Sequence, residues 1–153
     1  GMGAAFFYHL SERPLEATLP VLLGKALGAG WRVAVRGTDA ERLERLDHHL
    51  WQGEGFLPHG MAGGPHDSAQ PVLLTTGAAT NGATCVMSVD GADVAPDEIA
   101  ALARVCSLFD GGDESAVEHA RGQWRAVSEA GLAAEYWAEE GGSWVKKASS
   151  EAA

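Results

Sequence analysis

Two arginines and a tryptophan recur at helical spacing late in the chain, where they could hold an anion. Arg125 follows Arg121 by four residues, and Trp124 lies between them. An arginine beside an aromatic ring suits a carboxylate or phosphate, because its N–H groups form a planar fork that matches two oxygens. Local ion pairs with Glu118 and Glu129 would explain the same spacing on a solvated face. The segment therefore predicts either an anion-binding helix or an ordinary surface helix.

Histidines cluster in the middle of the chain and raise the question of a metal. Four of the six lie there: His48, His49, His59 and His66. A structural zinc site needs about four ligands in a tetrahedral arrangement. His48 and His49 are sequence neighbours, so on a helix they point about 100° apart. No HExxH or paired CxxC accompanies them, so we expect surface or capping histidines and no metal.

Motifs for nucleotide binding and catalysis do not occur in the sequence. The first predicted strand–helix junction, residues 8–14, has no glycine, although a dinucleotide fingerprint needs glycines there. Gly24-Lys25 has a superficial likeness to the end of a P-loop motif, which binds nucleotide phosphates. The pair falls inside a predicted helix, however, and alanine follows it where the motif has Ser or Thr. There is no GxSxG. We expect a protein with no cofactor and no catalysis of its own; a small α/β enzyme or nucleotide-binding domain is the alternative.

The overall composition limits the class of protein and its partners. A chain of 153 residues suits one domain. Its formal net charge of -10 repels DNA phosphates, and no Lys or Arg occurs in residues 46–103. Neither a signal peptide nor a membrane-length apolar run is recognisable. Cys85 and Cys106 lie in apolar stretches and predict buried free thiols. We expect a soluble cytoplasmic protein that does not bind DNA directly and contacts no membrane.

Strands alternate with helices along the chain. The patterns predict strands at residues 4–10, 31–35, 71–76, 83–89 and 105–109, and helices after Pro14 to Gly28 and at residues 40–50, 96–103 and 113–130. Pro20 predicts a helix start or kink. Residues 60–70 are a predicted loop, with residues 56–57 as a possible brief strand, and a hairpin is possible after residue 132.

This alternation indicates an α/β protein. We predict a three-layer, Rossmann-like sandwich with a mostly parallel central sheet that lacks a nucleotide-binding loop. Residues 2–147 would form a single domain, and residues 148–153 a frayed tail.

Residues 46–60 join the end of a helix to a glycine-containing loop that carries large apolar side chains. Trp51, Phe56 and Leu57 lie close in sequence, and Pro58 follows them. Aromatic and apolar anchors beside a loop are typical of protein–protein hot spots. The same residues could instead belong to the core.

The order and spacing of several segments resemble the chi subunit of bacterial DNA polymerase III, an accessory of the clamp-loader complex. The resemblance covers most of the chain. It rests on LDxxLW followed by F(V/L)PH and a glycine-rich loop, on Phe7-Tyr8-His9-Leu10, on residues 30–50, on Pro71-Val72-Leu73-Leu74, and on Ala120-Arg121-Gly122-Gln123-Trp124-Arg125-Ala126.

The resemblance implies that the helix at residues 113–130 holds the acidic C-terminal tail of single-stranded DNA-binding protein. That tail ends in a carboxylate on an aromatic residue. Arg121 matches the family's main basic position, Arg125 matches another basic position, and Trp124 matches an aromatic one.

Two departures from the family pattern lie on the same helix. Val117 stands where relatives can carry a lysine, and Gln123 is another loss of charge. Both imply a weaker, less salt-sensitive grip, or one that Lys146 and Lys147 assist.

The resemblance also implies a second surface. Trp51, Phe56, Leu57 and Pro58 match the family region that docks the psi subunit, which links chi to the clamp loader. The chain would then be a non-catalytic adaptor between single-stranded DNA-binding protein and the clamp loader. DNA-directed DNA polymerase activity would belong to the assembly.

Overall fold

The computed structural model describes residues 3–53 and 57–151, which form one eight-stranded sheet with helices on both faces. The strands are β1 (Ala4–Leu10), β2 (Val33–Arg36), β3 (Gly60–Met61), β4 (Val72–Thr75), β5 (Cys85–Ser88), β6 (Arg104–Asp110), β7 (Ala133–Glu140) and β8 (Ser143–Ser150). The helices are α1 (Leu15–Gly28), α2 (Ala40–Gln52), α3 (Pro96–Ala101) and α4 (Glu114–Glu129), with a short 3-10 turn at Asp67–Ala69.

The sheet is parallel except at one edge. Its strand order is β3-β4-β2-β5-β6-β1-β7-β8, and only the β7–β8 pair is antiparallel. Helices α1 and α2 pack on one face, called here the α1 face, and α3 and α4 pack on the other, the α4 face. The three-layer, mostly parallel α/β sandwich predicted from the sequence is confirmed.

Burial on both faces explains the composition of the central strands. Every residue of β2, β4 and β5 is buried, because helices cover the sheet on both sides. Cys85 and Cys106 are buried free thiols, as predicted. Asp39 caps α2 by accepting a hydrogen bond from the N–H of Glu41.

Helix α1 runs through Pro20, so the proline does not begin the helix. A proline inside a helix costs about 3 kcal/mol. Burying a leucine contributes roughly 1.5 to 3 kcal/mol, and Leu15, Leu19, Leu22 and Leu23 are all buried on both sides of the proline. Packing therefore outweighs the local propensity.

The two ends of the sheet depart from the sequence prediction. Strand β3 lies within the predicted loop, and the possible strand at residues 56–57 does not form at Leu57; Phe56 lies outside the described residues. Strand β8 continues to Ser150 and pairs with β7, so residues 148–150 are ordered where we predicted a frayed tail. The physical reason is backbone pairing, which small residues such as Ala148 do not signal.

Candidate functional site

Helix α4 turns an apolar stripe, with residues spaced three or four apart, toward the sheet. The side chain of Asp113 caps the helix by accepting hydrogen bonds from backbone N–H groups of the first turn. Ala120 and Val127 are buried on the α4 face, while Val117 and Trp124 are half-buried at its edge. The stripe thus fixes which side of α4 the arginines occupy.

Trp124 belongs to an aromatic cluster rather than standing alone. Its ring centroid lies 5.6 Å from that of Phe7 and 6.2 Å from that of Tyr136, both in edge-to-face geometry. Tyr136 lies 5.9 Å from Phe109, and its hydroxyl is 2.9 Å from Nδ1 of His9. The buried rings of Phe7 and Phe109 thus support the half-buried rings of Trp124 and Tyr136, called here the aromatic wall, beside α4.

The two arginines of α4 are accessible. The Arg121 side chain is 64% exposed, and its Nη1 lies 3.7 Å from Glu118, an exposed pair that contributes at most about 1 kcal/mol. Burial raises the pKa of Tyr136, and the positive charge of Arg121 opposes that rise. Arg125 is exposed, and within residues 3–53 and 57–151 it forms no ion pair; the expected partner Glu129 is not bound to it.

The structure thus places Val117, Arg121, Trp124 and Arg125 on one side of α4, called here the arginine flank. Two accessible guanidinium groups beside an aromatic wall suit a ligand that combines a carboxylate with an apolar group.

Tyr136 and His9 also belong to this surface, although no pattern in the sequence predicted it. Tyr136 is the direct parallel partner of Phe7 in the β1–β7 ladder. The position of β7 beside β1 depends on the sheet order, which no local pattern contains.

The residues of the second predicted surface, near the end of α2, differ in their exposure to solvent. Trp51, at the end of α2, is 53% exposed, and its ring stacks on His59 with centroids 4.1 Å apart. Leu57 is half-buried and packs against the core of the α1 face, and Pro58 is half-buried. Phe56 lies outside the described residues. Trp51 is therefore the outward member and Leu57 the inward one.

His59 fastens this region to α2. Its Nδ1 is 2.6 Å from the carbonyl oxygen of Leu57, and its Nε2 is 3.2 Å from the carbonyl oxygen and from Oδ1 of Asp47. The ring therefore lies between a carbonyl oxygen of its own segment and one of α2. His59 is buried, whereas the sequence placed it at the surface or as a cap.

A carboxylate of the chain itself fills the place where a nucleotide phosphate would bind in this architecture. Oε1 of Glu139 accepts hydrogen bonds from the N–H groups of Ser11, Glu12 and Arg13, at 3.1 to 3.3 Å. The Glu139 side chain is 1% exposed. N–H groups before a helix are the usual donors to phosphate. This contact counts against the nucleotide-binding alternative.

The crevice at the carboxyl ends of β1 and β6 is also unsuited to phosphate. Open α/β sheets bind ligands at such ends. The crevice measures about 800 Å³, and Asp90, Asp110 and Asp113 line it together with Arg42. Asp90 pairs with Arg42, and Asp110 and Asp113 accept from nearby backbone N–H groups. Its carboxylates are thus engaged internally and repel an anion.

Within residues 3–53 and 57–151, no set of three or more His, Cys, Asp or Glu side chains is arranged to hold a metal ion. No helix there is both long and apolar enough to cross a bilayer.

Comparison with known proteins gives one informative match. The profile of a family described as DNA polymerase III chi subunit, HolC, matches residues 2–135. The match includes the arginine flank and the Trp51 region, and it ends inside β7, before Tyr136. The chain has no match among curated proteins.

Proposed function

The chain belongs to the DNA polymerase III chi subunit family, and on that premise we propose that it is a non-catalytic adaptor that bridges single-stranded DNA-binding protein to the clamp loader through a psi-type subunit. Family membership gives an accessory role in DNA replication. In the proposal the adaptor acts in the cytoplasm, and DNA-directed DNA polymerase activity belongs to the assembly. Tethering raises the local concentration of partners without any chemical step.

The arginine flank carries the first half of the proposal. Arg121 would bind the terminal carboxylate of the acidic tail, and the tail's last aromatic side chain would pack against Trp124 and Tyr136. The supporting observation is an exposed guanidinium beside a braced aromatic wall. A protein with a net charge of -10 repels an acidic peptide over most of its surface. The two exposed arginines of the arginine flank would attract such a peptide.

The Trp51 region carries the second half. Trp51, Phe56, Leu57 and Pro58 would form the docking surface for a psi-type subunit. Exposed tryptophans are frequent anchors of protein interfaces. The ring of His59 packs against that of Trp51, and its Nε2 lies 3.2 Å from the carbonyl oxygen of Asp47 on α2. Contact with DNA would be made only through the partners.

Fluorescence polarisation tests the tail-binding half. The probe is a labelled acidic peptide with a C-terminal phenylalanine and a free carboxylate. We expect micromolar binding that salt weakens and that Arg121→Ala reduces by at least about tenfold, because charge-assisted hydrogen bonds are lost.

Arg45→Ala is the matched control, since Arg45 is exposed on α2, on the opposite face of the sheet. It should bind like the wild type, and a peptide with an amidated C-terminus should bind weakly to both. No binding by the wild type at low salt would refute tail recognition.

A further inference from the structure

The β7–β8 hairpin extends the sheet beyond α4 and lies mostly outside the family match. That match ends at residue 135, whereas β7 runs to Glu140 and β8 from Ser143 to Ser150. β8 is the last strand of the sheet. Whatever this hairpin adds is therefore an addition to the part of the chain that the family profile describes.

Side chains of β7 alternate between the two faces of the sheet. Glu139 points to the α1 face, because it binds the backbone at the start of α1. Tyr136 packs with the core of the α4 face. By the same alternation Ala138 and Glu140 follow Tyr136 on the α4 face. Together with Tyr136 they form a surface, called here the hairpin floor, which runs from the arginine flank toward the edge of the sheet.

Two adjacent lysines of β8 serve different faces. The ladder shifts register after Tyr136, so that Trp137 faces Lys146 and Tyr136 faces Ala148, with Lys147 between them. The Lys146 ammonium lies 6.0 Å from the ring centroid of Trp137. The Lys147 ammonium instead pairs with the carboxylate of Glu140. Of the two lysines, only Lys147 thus contacts the hairpin floor.

We propose that this hairpin floor, with Lys147, lengthens the arginine flank into a site for the acidic run that precedes the terminal carboxylate of the bound tail. The inference rests on the proposed function. In it, carboxylates of the tail displace Glu140 from Lys147. The Lys147–Glu140 side chains are 45% and 50% exposed, and such a pair contributes at most about 1 kcal/mol, so the exchange costs little.

Geometry and charge both favour an extended acidic peptide. Neighbouring strands lie about 4.8 Å apart and an extended chain rises about 3.3 Å per residue, so a tail anchored near Tyr136 reaches β8 within a few residues. Strand β8 contains two lysines and no acidic residue. A second copy of the chain fits worse, since antiparallel pairing of two β8 edges would bring lysines together.

Polarisation titrations with two peptides test this proposal. The long peptide has an acidic run before its C-terminal phenylalanine, and the short one lacks that run. We expect Lys147→Ala to weaken the long peptide by about fivefold and to leave the short one unchanged. Glu140→Gln should strengthen binding of the long peptide, because the internal competitor is neutralised. Lys146→Ala is the matched control and should change neither.

The outcomes separate this inference from the proposed function. If Arg121→Ala abolishes binding but Lys147→Ala and Glu140→Gln have no effect, the hairpin is not part of the site and the proposed function stands. Equal losses for Lys146→Ala and Lys147→Ala would indicate general attraction and overturn it. A dimer in light scattering that Lys147→Ala dissociates would assign the hairpin to self-association. Absence of wild-type binding would remove both proposals.

Discussion

Arg121 and Tyr136 lie close enough for the charge of one to change the ionisation of the other. Burial raises the pKa of Tyr136, and the guanidinium of Arg121 opposes that rise. Arg121→Ala should therefore raise the pKa of Tyr136 further. Burial also raises the pKa of Tyr8, the other tyrosine, so the measurement must distinguish the two residues. NMR titration of the assigned tyrosine ring carbons does this. An unchanged Tyr136 pKa in the variant would show that the guanidinium does not rest beside this ring.

Glu139 holds the start of α1 by a contact that a free anion could imitate. Its Oε1 accepts from three backbone N–H groups, and its Oε2 is 3.5 Å from Nε of Arg13. Glu139→Ala removes the charged acceptor of these three part-buried hydrogen bonds, and we expect it to cost about 1 to 3 kcal/mol. Added phosphate or formate should restore part of that stability, because the emptied site binds anions.

Urea unfolding with and without the anion measures the effect of Glu139→Ala. The wild type serves as the control and should gain little, since its own carboxylate fills the site. A variant as stable as the wild type would contradict the structural role of Glu139.

At the level of elements, Arg36 joins the end of β2 to α3. Two of its nitrogens lie 2.7 and 2.8 Å from the carboxylate oxygens of Glu98, and Nε donates to the carbonyl of Gly77 at 2.9 Å. The bidentate hydrogen bond from Arg36 lowers the pKa of Glu98. Protonation of Glu98 would break the pairing that ties α3 to the sheet.

The lowered pKa of Glu98 predicts an acid-dependent contribution to stability. The folded pKa is below the unfolded value of about 4.3, so the contribution is complete above that pH and is lost as pH falls through the folded pKa. Glu98→Gln should cost about 1 to 2 kcal/mol at neutral pH and much less in acid. Urea unfolding at both pH values measures this, with Glu118→Gln as an exposed control. An equal loss at both pH values would contradict the ion pair.

Local sequence patterns predicted where helices and strands occur better than they predicted which of these elements lie next to each other. The stripe and cap of α4 and the apolar strands β2, β4 and β5 were predictable, because period and capping are properties of nearby residues. The arginine flank was predictable for the same reason. The strand β8 was not, since small and charged residues pair only because β7 offers an edge.

Contacts between distant segments were beyond local patterns. Tyr136 joins Trp124 only through the sheet order, and Glu139 binds the start of α1 from the far end of the chain. His59 gave a misleading signal, because a histidine in a polar, glycine-rich loop suggests exposure. Carbonyl oxygens from two separate segments lie within hydrogen-bonding distance of the buried ring and offset the cost of burying its nitrogens.

At the level of the whole molecule, the two proposed surfaces lie on opposite faces of the sheet. The arginine flank belongs to α4, and Trp51 ends α2, which packs on the α1 face. Substitutions at sites that are far apart and share no partner usually have additive effects. An adaptor built in this way can hold both partners at once without coupling between them.

This separation predicts independent binding with different sensitivity to salt. Trp51→Ala should leave the affinity for the acidic peptide within about twofold of the wild type, and Arg121→Ala should leave capture of a co-expressed psi-type subunit unchanged. Raising the salt concentration should weaken the peptide complex, because screening acts on exposed charges, and should spare an apolar interface. Titration of the peptide onto the purified complex measures both effects. If the psi-type subunit displaces the peptide, the two partners share one surface, and a bridging role is excluded.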